Sequence, residues 1–218
     1  MLNIFEARKE ISNYKIQFKN KELINQNYSQ ASQDIFVLSC LDGKQNGTFL
    51  DLGCNKPDFI NNTFLLETKF DWQGLSLDID SSCISKFPSV RNTPAAVRDC
   101  TNLDWNEIAS YFSSTSIDYL SLDLEPADRT LECLESIPFD RFNFSVITFE
   151  HDFYRFGNYY RKKSRETFTK FGYHLLCANV KNAGSIFEDW YVDPKKVDLE
   201  KLKPLETNEQ EWIDILYI

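Results

Sequence analysis

The chain predicts an α/β fold with a mostly parallel central sheet and helices on both faces. Three observations predict it. Short apolar runs of strand length alternate with segments of helical period through about five units, the pattern left by a parallel sheet and its crossover helices. With 218 residues, 42% of them hydrophobic, the chain buries one substantial core, and 15% aromatic residues make that core rich in rings. Finally, each of the first five predicted strands ends in an acid.

Residues 1–30 are polar and mixed in charge, with Ile4, Ile11, Tyr14 and Phe18 recurring at near-helical intervals. They are expected to form a helical arm ahead of a domain spanning residues 31–218, either covering the core and cleft or mediating a homodimer contact. SQDIFVLSC predicts a short buried helix that Ser32 caps and DGKQNG breaks. TFLDL (48–52) is the first strand, NNTFLLETKF a helix, GLSLD (74–78) the second strand and AAVR (95–98) the third. NLDWNEIASYF is a helix with Leu103, Ile108 and Phe112 inward, and IDYLSLDLE is the fourth strand. DRTLECLESI carries Leu131, Leu134 and Ile137 on one face and stops at Pro138. FSVITF is the fifth strand, NYYRKKSRETFTKF a helix closed by Gly172, and YHLLCANV the sixth strand. IFEDWYV and WIDILYI read as two further strands.

Composition narrows the function. The formal charge of −9 repels a phosphate backbone, so no broad nucleic-acid surface is expected. Six cysteines (Cys40, Cys54, Cys83, Cys100, Cys133, Cys177) form no CxxC pair, and read as reduced thiols of a cytoplasmic protein rather than a disulfide framework or a zinc site. No run of about 18 apolar residues occurs, so no membrane partner is expected.

Open parallel sheets bind ligands beyond the carboxyl ends of their strands. Those ends carry Asp51-Leu-Gly53-Cys-Asn55, Asp78-Ile-Asp80, Asp99, Asp123-Leu-Glu125 and Glu150-His151-Asp152. An acid followed by Gly53 lets the backbone turn sharply and approach a ligand, although a plain strand-ending turn explains DLGCN about as well. The second and third glycines of a GxGxxG loop are absent, which disfavours a dinucleotide. Asp78, ending the next strand, is suited to accept both hydroxyls of a ribose; the competing reading is that Asp78 or Asp80 caps the following segment. A nucleoside-bearing ligand without a pyrophosphate fits, and S-adenosylmethionine is one.

TFLDLGCN, NNTFLLE, WQGLSLDID, IDYLSLDLEP, SVITFEHD and FEDWYVDP, in that order, resemble the FkbM-type S-adenosylmethionine-dependent methyltransferases over about residues 29–194. The resemblance implies a Rossmann-like class I methyltransferase fold and O-methylation of a sugar, a glycan or another small molecule. It implies that Asp51, Gly53 and Asn55 line the methionine end of the cofactor, that Asp78 holds the ribose and that Asp99 lies near the adenine. Asp123-Leu-Glu125-Pro126 stands where many members have DVEG, so a role for Glu125 carries over less directly.

Methyl transfer to a hydroxyl needs alignment and a route for the proton. Two routes fit. His151, with a reference pKa of ~6.5, would act as general base between Glu150 and Asp152. Alternatively Asp123, Glu150 and Asp152 would hold Mg²⁺ or Mn²⁺ and acidify the hydroxyl, an arrangement similar to the catechol- and macrocin-type O-methyltransferases. Asp123 and Glu125 also read as a carboxylate pair for substrate hydroxyls or as a helix cap, and His174 as structural. RKKSRE (161–166) is a solvated face or a site for an anionic group; Trp190 and Tyr191 are a sugar platform or buried strand residues. Two rivals from other classes stay open: a metal-dependent hydrolase using Asp123, Glu150, His151 and Asp152, and a non-catalytic binding module.

Overall fold

A computed structural model describes residues 13–218. After Ser32 the chain forms α1 (Gln33–Cys40), β1 (Thr48–Leu52), α2 (Phe64–Phe70), β2 (Gln73–Asp78), α3 (Ser81–Ile84) and β3 (Ala95–Val97). It continues through α4 (Trp105–Ser110), β4 (Ser116–Leu122), α5 (Ala127–Ser136) and β5 (Asn143–Glu150). The last part holds α6 (Phe153–Phe156), α7 (Asn158–Lys170), β6 (His174–Asn182), β7 (Ser185–Val192), α8 (Leu199–Leu202), β8 (Thr207–Asn208) and α9 (Trp212–Leu216).

The strands form one sheet in the order β3-β2-β1-β4-β5-β7-β6-β8. Pairing is parallel from β3 to β5, and β7 runs antiparallel between β5 and β6. The chain winds outward from β1 to β3 in one direction and from β4 in the other, which opens a crevice between the ends of β1 and β4. The central strands are covered on both faces, so they read as near-continuous apolar runs. One face packs Phe49, Tyr119, Val146 and Trp190 against α1, α2 and the chain's last residues. The other packs Leu50, Leu120, Ile147 and Tyr191 against α4, α5 and α7.

The structure differs from the sequence expectations at both ends. Of the expected arm, Ile4 and Ile11 lie outside the described residues. Within 13–30 the one helical turn is a 3-10 turn at Lys21–Leu23. Tyr14, Ile16 and Phe18 are instead buried at alternate positions, and Tyr14 bridges to Tyr217 in antiparallel fashion. WIDILYI is not a strand: Trp212, Ile215 and Leu216, spaced i, i+3, i+4, are the buried face of α9. Ser32 precedes α1 with φ 57° and makes no cap with its side chain. Its hydroxyl is instead bonded to Asn27 Nδ2 and to the Tyr217 hydroxyl. All six cysteines are free and buried. Among the described residues no helix is long and apolar enough to cross a membrane.

Candidate functional site

Strand register lines up the side chains of one sheet face in rows. Ser76, Asp51, Ser121, Thr148 and Trp190 form one row. Two residues further along each parallel strand comes the next row: Asp78, Gly53, Asp123 and Glu150, with Glu188 opposite Glu150 on β7. This second row is the floor of a cleft of about 470 Å³, within the usual range for small-ligand sites. Asp51, Asn55, Asp80, Asp99 and Glu125 also line it, as do Asn62, Thr101, Arg129 and Tyr154.

Gly53 sits at the narrowest place. Its φ is +85°, and a Cβ there would lie 2.0 Å from the Asp123 carbonyl oxygen, so only glycine lets the loops after β1 and β4 meet. Asp78 is fixed from two sides: Oδ2 accepts the Asn55 N–H at 2.8 Å and Oδ1 the Asp80 N–H at 2.8 Å. A carboxylate has about four acceptor sites, so it retains capacity for a diol. Asp80 caps α3 through Ser82 N–H, which divides the two roles left open in the sequence. Asp99 Oδ1 accepts both the N–H and the hydroxyl of Thr101.

A buried cation stiffens the wall behind the floor. Arg91, wholly buried, is bonded to Glu67 and donates to Pro57 O, Asn61 Oδ1 and Thr63 Oγ1. Thr63 Oγ1 in turn donates to Asp51 Oδ2 at 2.9 Å, and Asn62 Nδ2 to Ser121 Oγ at 3.0 Å. Burial pushes the Asp51 carboxyl up to about 6, against the lowering effect of the Thr63 hydroxyl and the Arg91 charge.

Asp123 and Glu150 follow the paired Leu122 and Phe149 and stand side by side at the floor's centre. Burial raises both, and the Asp123 charge holds Glu150 well above the usual carboxylate range. Two carboxyls so placed disfavour the state in which both are ionised. Beyond it Glu188 is fully buried, accepting from Gln33 Nε2 at 3.0 Å and Trp190 Nε1 at 2.6 Å; burial pushes it up to about 8.

His151 requires a correction. Strand alternation persists past Glu150, because His151 N–H still bonds Phe187 O on β7. The ring therefore turns to the opposite face, wholly buried, with Nε2 3.5 Å from Asp189 Oδ1 and Nδ1 accepting the Phe153 N–H. It lines no part of the cleft. The same geometry takes His151 out of the hydrolase constellation. Asp189 is held low, despite burial, by His151 and by Arg165, which reaches it at 2.7 and 2.8 Å.

Of the expected metal set, Glu150 and Asp152 come together, with Glu125 in the place of Asp123. The acids brought within 4.8 Å of one another are Glu125, Glu150 and Asp152, not Asp123, Glu150 and Asp152. A cation already stands among them: Arg155 donates to Glu125 at 3.0 Å and to Asp152 Oδ2 at 3.2 Å. Trp190 and Tyr191 are fully buried and offer no sugar platform. RKKSRE divides, with Arg161 and Arg165 turned inward to Asn179 and Asp189 and Lys162 and Lys163 outward beside Glu166.

Sequence reading missed Tyr154, Asn62, Thr101 and the buried Glu188–Asp189 pair. Two adjacent acids inside an apolar strand were the available signal, since buried charges demand partners.

No family model matches the chain, and no curated protein matches it. Solved structures do. Magnesium protoporphyrin IX methyltransferase (ChlM) of Synechocystis PCC 6803, solved with bound S-adenosylmethionine, superposes with a TM-score of 0.53 at 12% identity, over 74% of this chain and 76% of that one. An rRNA-methylase candidate from Clostridium thermocellum gives 0.51 at 12% identity over 78% and 97%. The Dnmt2 methyltransferase of S. pombe gives 0.50 at 12% identity over 67% and 48%. The chain thus has the Rossmann-like fold on which these methyltransferases are built.

Proposed function

We propose that the protein is an S-adenosylmethionine-dependent methyltransferase acting on a hydroxyl of a sugar or another small polyol. The observation that carries this reading is Asp78, a carboxylate fixed by two backbone N–H groups at the end of β2, in the same cleft as the Gly53 turn. The sequence resemblance to the FkbM-type enzymes and the fold shared with cofactor-bound ChlM support it.

Bound in the cleft, S-adenosylmethionine supplies a methyl group on a sulfonium leaving group. Asp78 would accept the ribose hydroxyls, Asp99 and Thr101 would lie at the adenine end, and Gly53 and Asn55 at the methionine end. The Asp123–Glu150 pair would take the proton that the acceptor hydroxyl gives up on methylation. Burial and the neighbouring charge raise both carboxyls, which makes them stronger bases than exposed acids. This assigns to the acid pair the role expected of His151. A divalent ion at Glu125, Glu150 and Asp152 would share two of its three carboxylates with Arg155, so the acid pair is the simpler route.

Isothermal titration with S-adenosylhomocysteine tests the reading. Binding below millimolar concentration is expected, weakened about 10–100-fold by Asp78→Asn, since a hydrogen bond to a charged group is worth about 1.5–3 kcal/mol. Absence of binding, or equal binding by the variant, refutes it.

A further inference from the structure

The acceptor end of the cleft is anionic beyond what the cofactor requires. Seven carboxylates line the cleft against two arginines. Arg98 is engaged by Glu107 and Arg129 by Glu132, each at 2.9 Å. The third guanidinium nearby, on Arg155, lies between Glu125 and Asp152. An incoming phosphate or carboxylate therefore meets, among the described lining residues, no cation without a carboxylate already on it.

Asp152 adds an independent observation. Its side chain is 2% exposed, and while Oδ2 takes Arg155, Oδ1 is buried with no hydrogen-bond partner. A buried acceptor oxygen left in that state calls for a donor. The carboxylate belongs to the same close group as Glu125 and Glu150. Tyr154, 54% exposed, lines the same cleft.

We propose that the acceptor carries a protonated amine beside its reacting hydroxyl, an amino sugar being the chemical class. Its ammonium lies against Glu125 and Asp152, its ring face covers Tyr154, and its hydroxyl reaches the Asp123–Glu150 pair. The cofactor's own single net positive charge cannot offset the remaining carboxylates, so the second cation completes the site. The proposal rests on the methyltransferase reading.

The test uses the whole chain saturated with S-adenosylhomocysteine and three hexoses of different charge. Glucosamine, glucose and glucuronate are titrated by NMR at a pH where the amine is protonated. Glucosamine is expected to bind at least about tenfold more tightly than glucose, and glucuronate most weakly, as the sign of the local field requires. Glu125→Gln and Asp152→Asn should each bring glucosamine close to the affinity of glucose. Equal binding of glucosamine and glucose, tighter binding of glucuronate, or no binding of glucosamine at tens of millimolar overturns the proposal while leaving the cofactor reading intact. Failure of S-adenosylhomocysteine itself to bind overturns both.

Discussion

Replacing Arg91 by Met removes the cation at the centre of the wall behind the floor. The guanidinium is wholly buried, and Glu67, its partner, is 4% exposed on its side chain. In the variant Glu67 keeps the N–H groups of Asn92 and Thr93 and the Thr93 hydroxyl, but loses its counter-charge. Breaking a buried pair from one side costs about 3–5 kcal/mol, because the other charge stays behind. For a domain of this size about 2–4 °C follows each kcal/mol, so Tm should fall by roughly 6–20 °C. Burial raises the Glu67 carboxyl, yet the Arg91 charge and the bonds from Thr93 and Asn92 outweigh it, and the net displacement is downward. A depressed carboxyl contributes stability above its unfolded value that is lost as pH falls through the folded one. The parent should therefore lose this contribution in the acid range, and the gap between parent and Arg91→Met should narrow there. Differential scanning calorimetry at neutral and acid pH reads both effects. The double variant Arg91→Met, Glu67→Leu should recover a large part of the loss. A Tm within 2 °C of the parent by roughly the measurement's own precision, or a double variant no better than the single, refutes the reasoning.

Other expectations follow from the same geometry. Glu150→Gln should lower methyl transfer about 10²–10⁴-fold once an acceptor is in hand, with S-adenosylhomocysteine still bound. His151→Asn should cost stability in urea titration and leave the rate per folded molecule unchanged; a loss as large as that of Glu150→Gln would restore the histidine as base. Glu188, raised to about 8 by burial, is protonated in the folded chain over a range where the unfolded chain has released the proton. Stability due to its neutral form is thus lost as pH rises, by up to roughly 1.4 kcal/mol per pH unit between the unfolded value and 8. The urea midpoint of Glu188→Gln should gain on the parent between pH 5 and pH 8, each roughly a limit of that window; a constant difference would contradict the assignment. Gly53→Ala forces a Cβ against the Asp123 carbonyl at a positive φ, and should abolish cofactor binding in the titration described above.

The strands were legible because burial on both faces leaves Ile117, Tyr119, Leu120 and Leu122 close together in a short run such as SIDYLSL. The cleft was legible in outline, since the carboxyl ends of parallel strands converge whatever the loops do. What escaped depended on partners distant in sequence. Tyr14 and Phe18 are four apart and fit a helix, but pairing with the last residues selects the alternate set that includes Ile16. Nothing local tells where alternation along β5 ends, and one more residue of pairing with β7 decides that Glu150 faces the cleft and His151 does not. Trp190 and Tyr191 beside acids fit a sugar platform or a buried strand equally well in sequence, and only the buried partners of those acids, Gln33, Arg165 and His151, decide between them.

The bridge between Tyr14 and Tyr217 bears on the order of assembly. Ser32 meets Tyr217 across 185 residues, and Lys15 N–H bonds Leu216 O alongside. Contacts of such span close the largest loops of the chain and come late in folding. The segment from 27 to 34, tied to Tyr217 through Ser32, supplies Gln30 to the cleft wall and Gln33 to Glu188. A nearly folded chain would hold its acid row open on that side, and the pocket would acquire its finished shape only as the first described residues are clasped by the last.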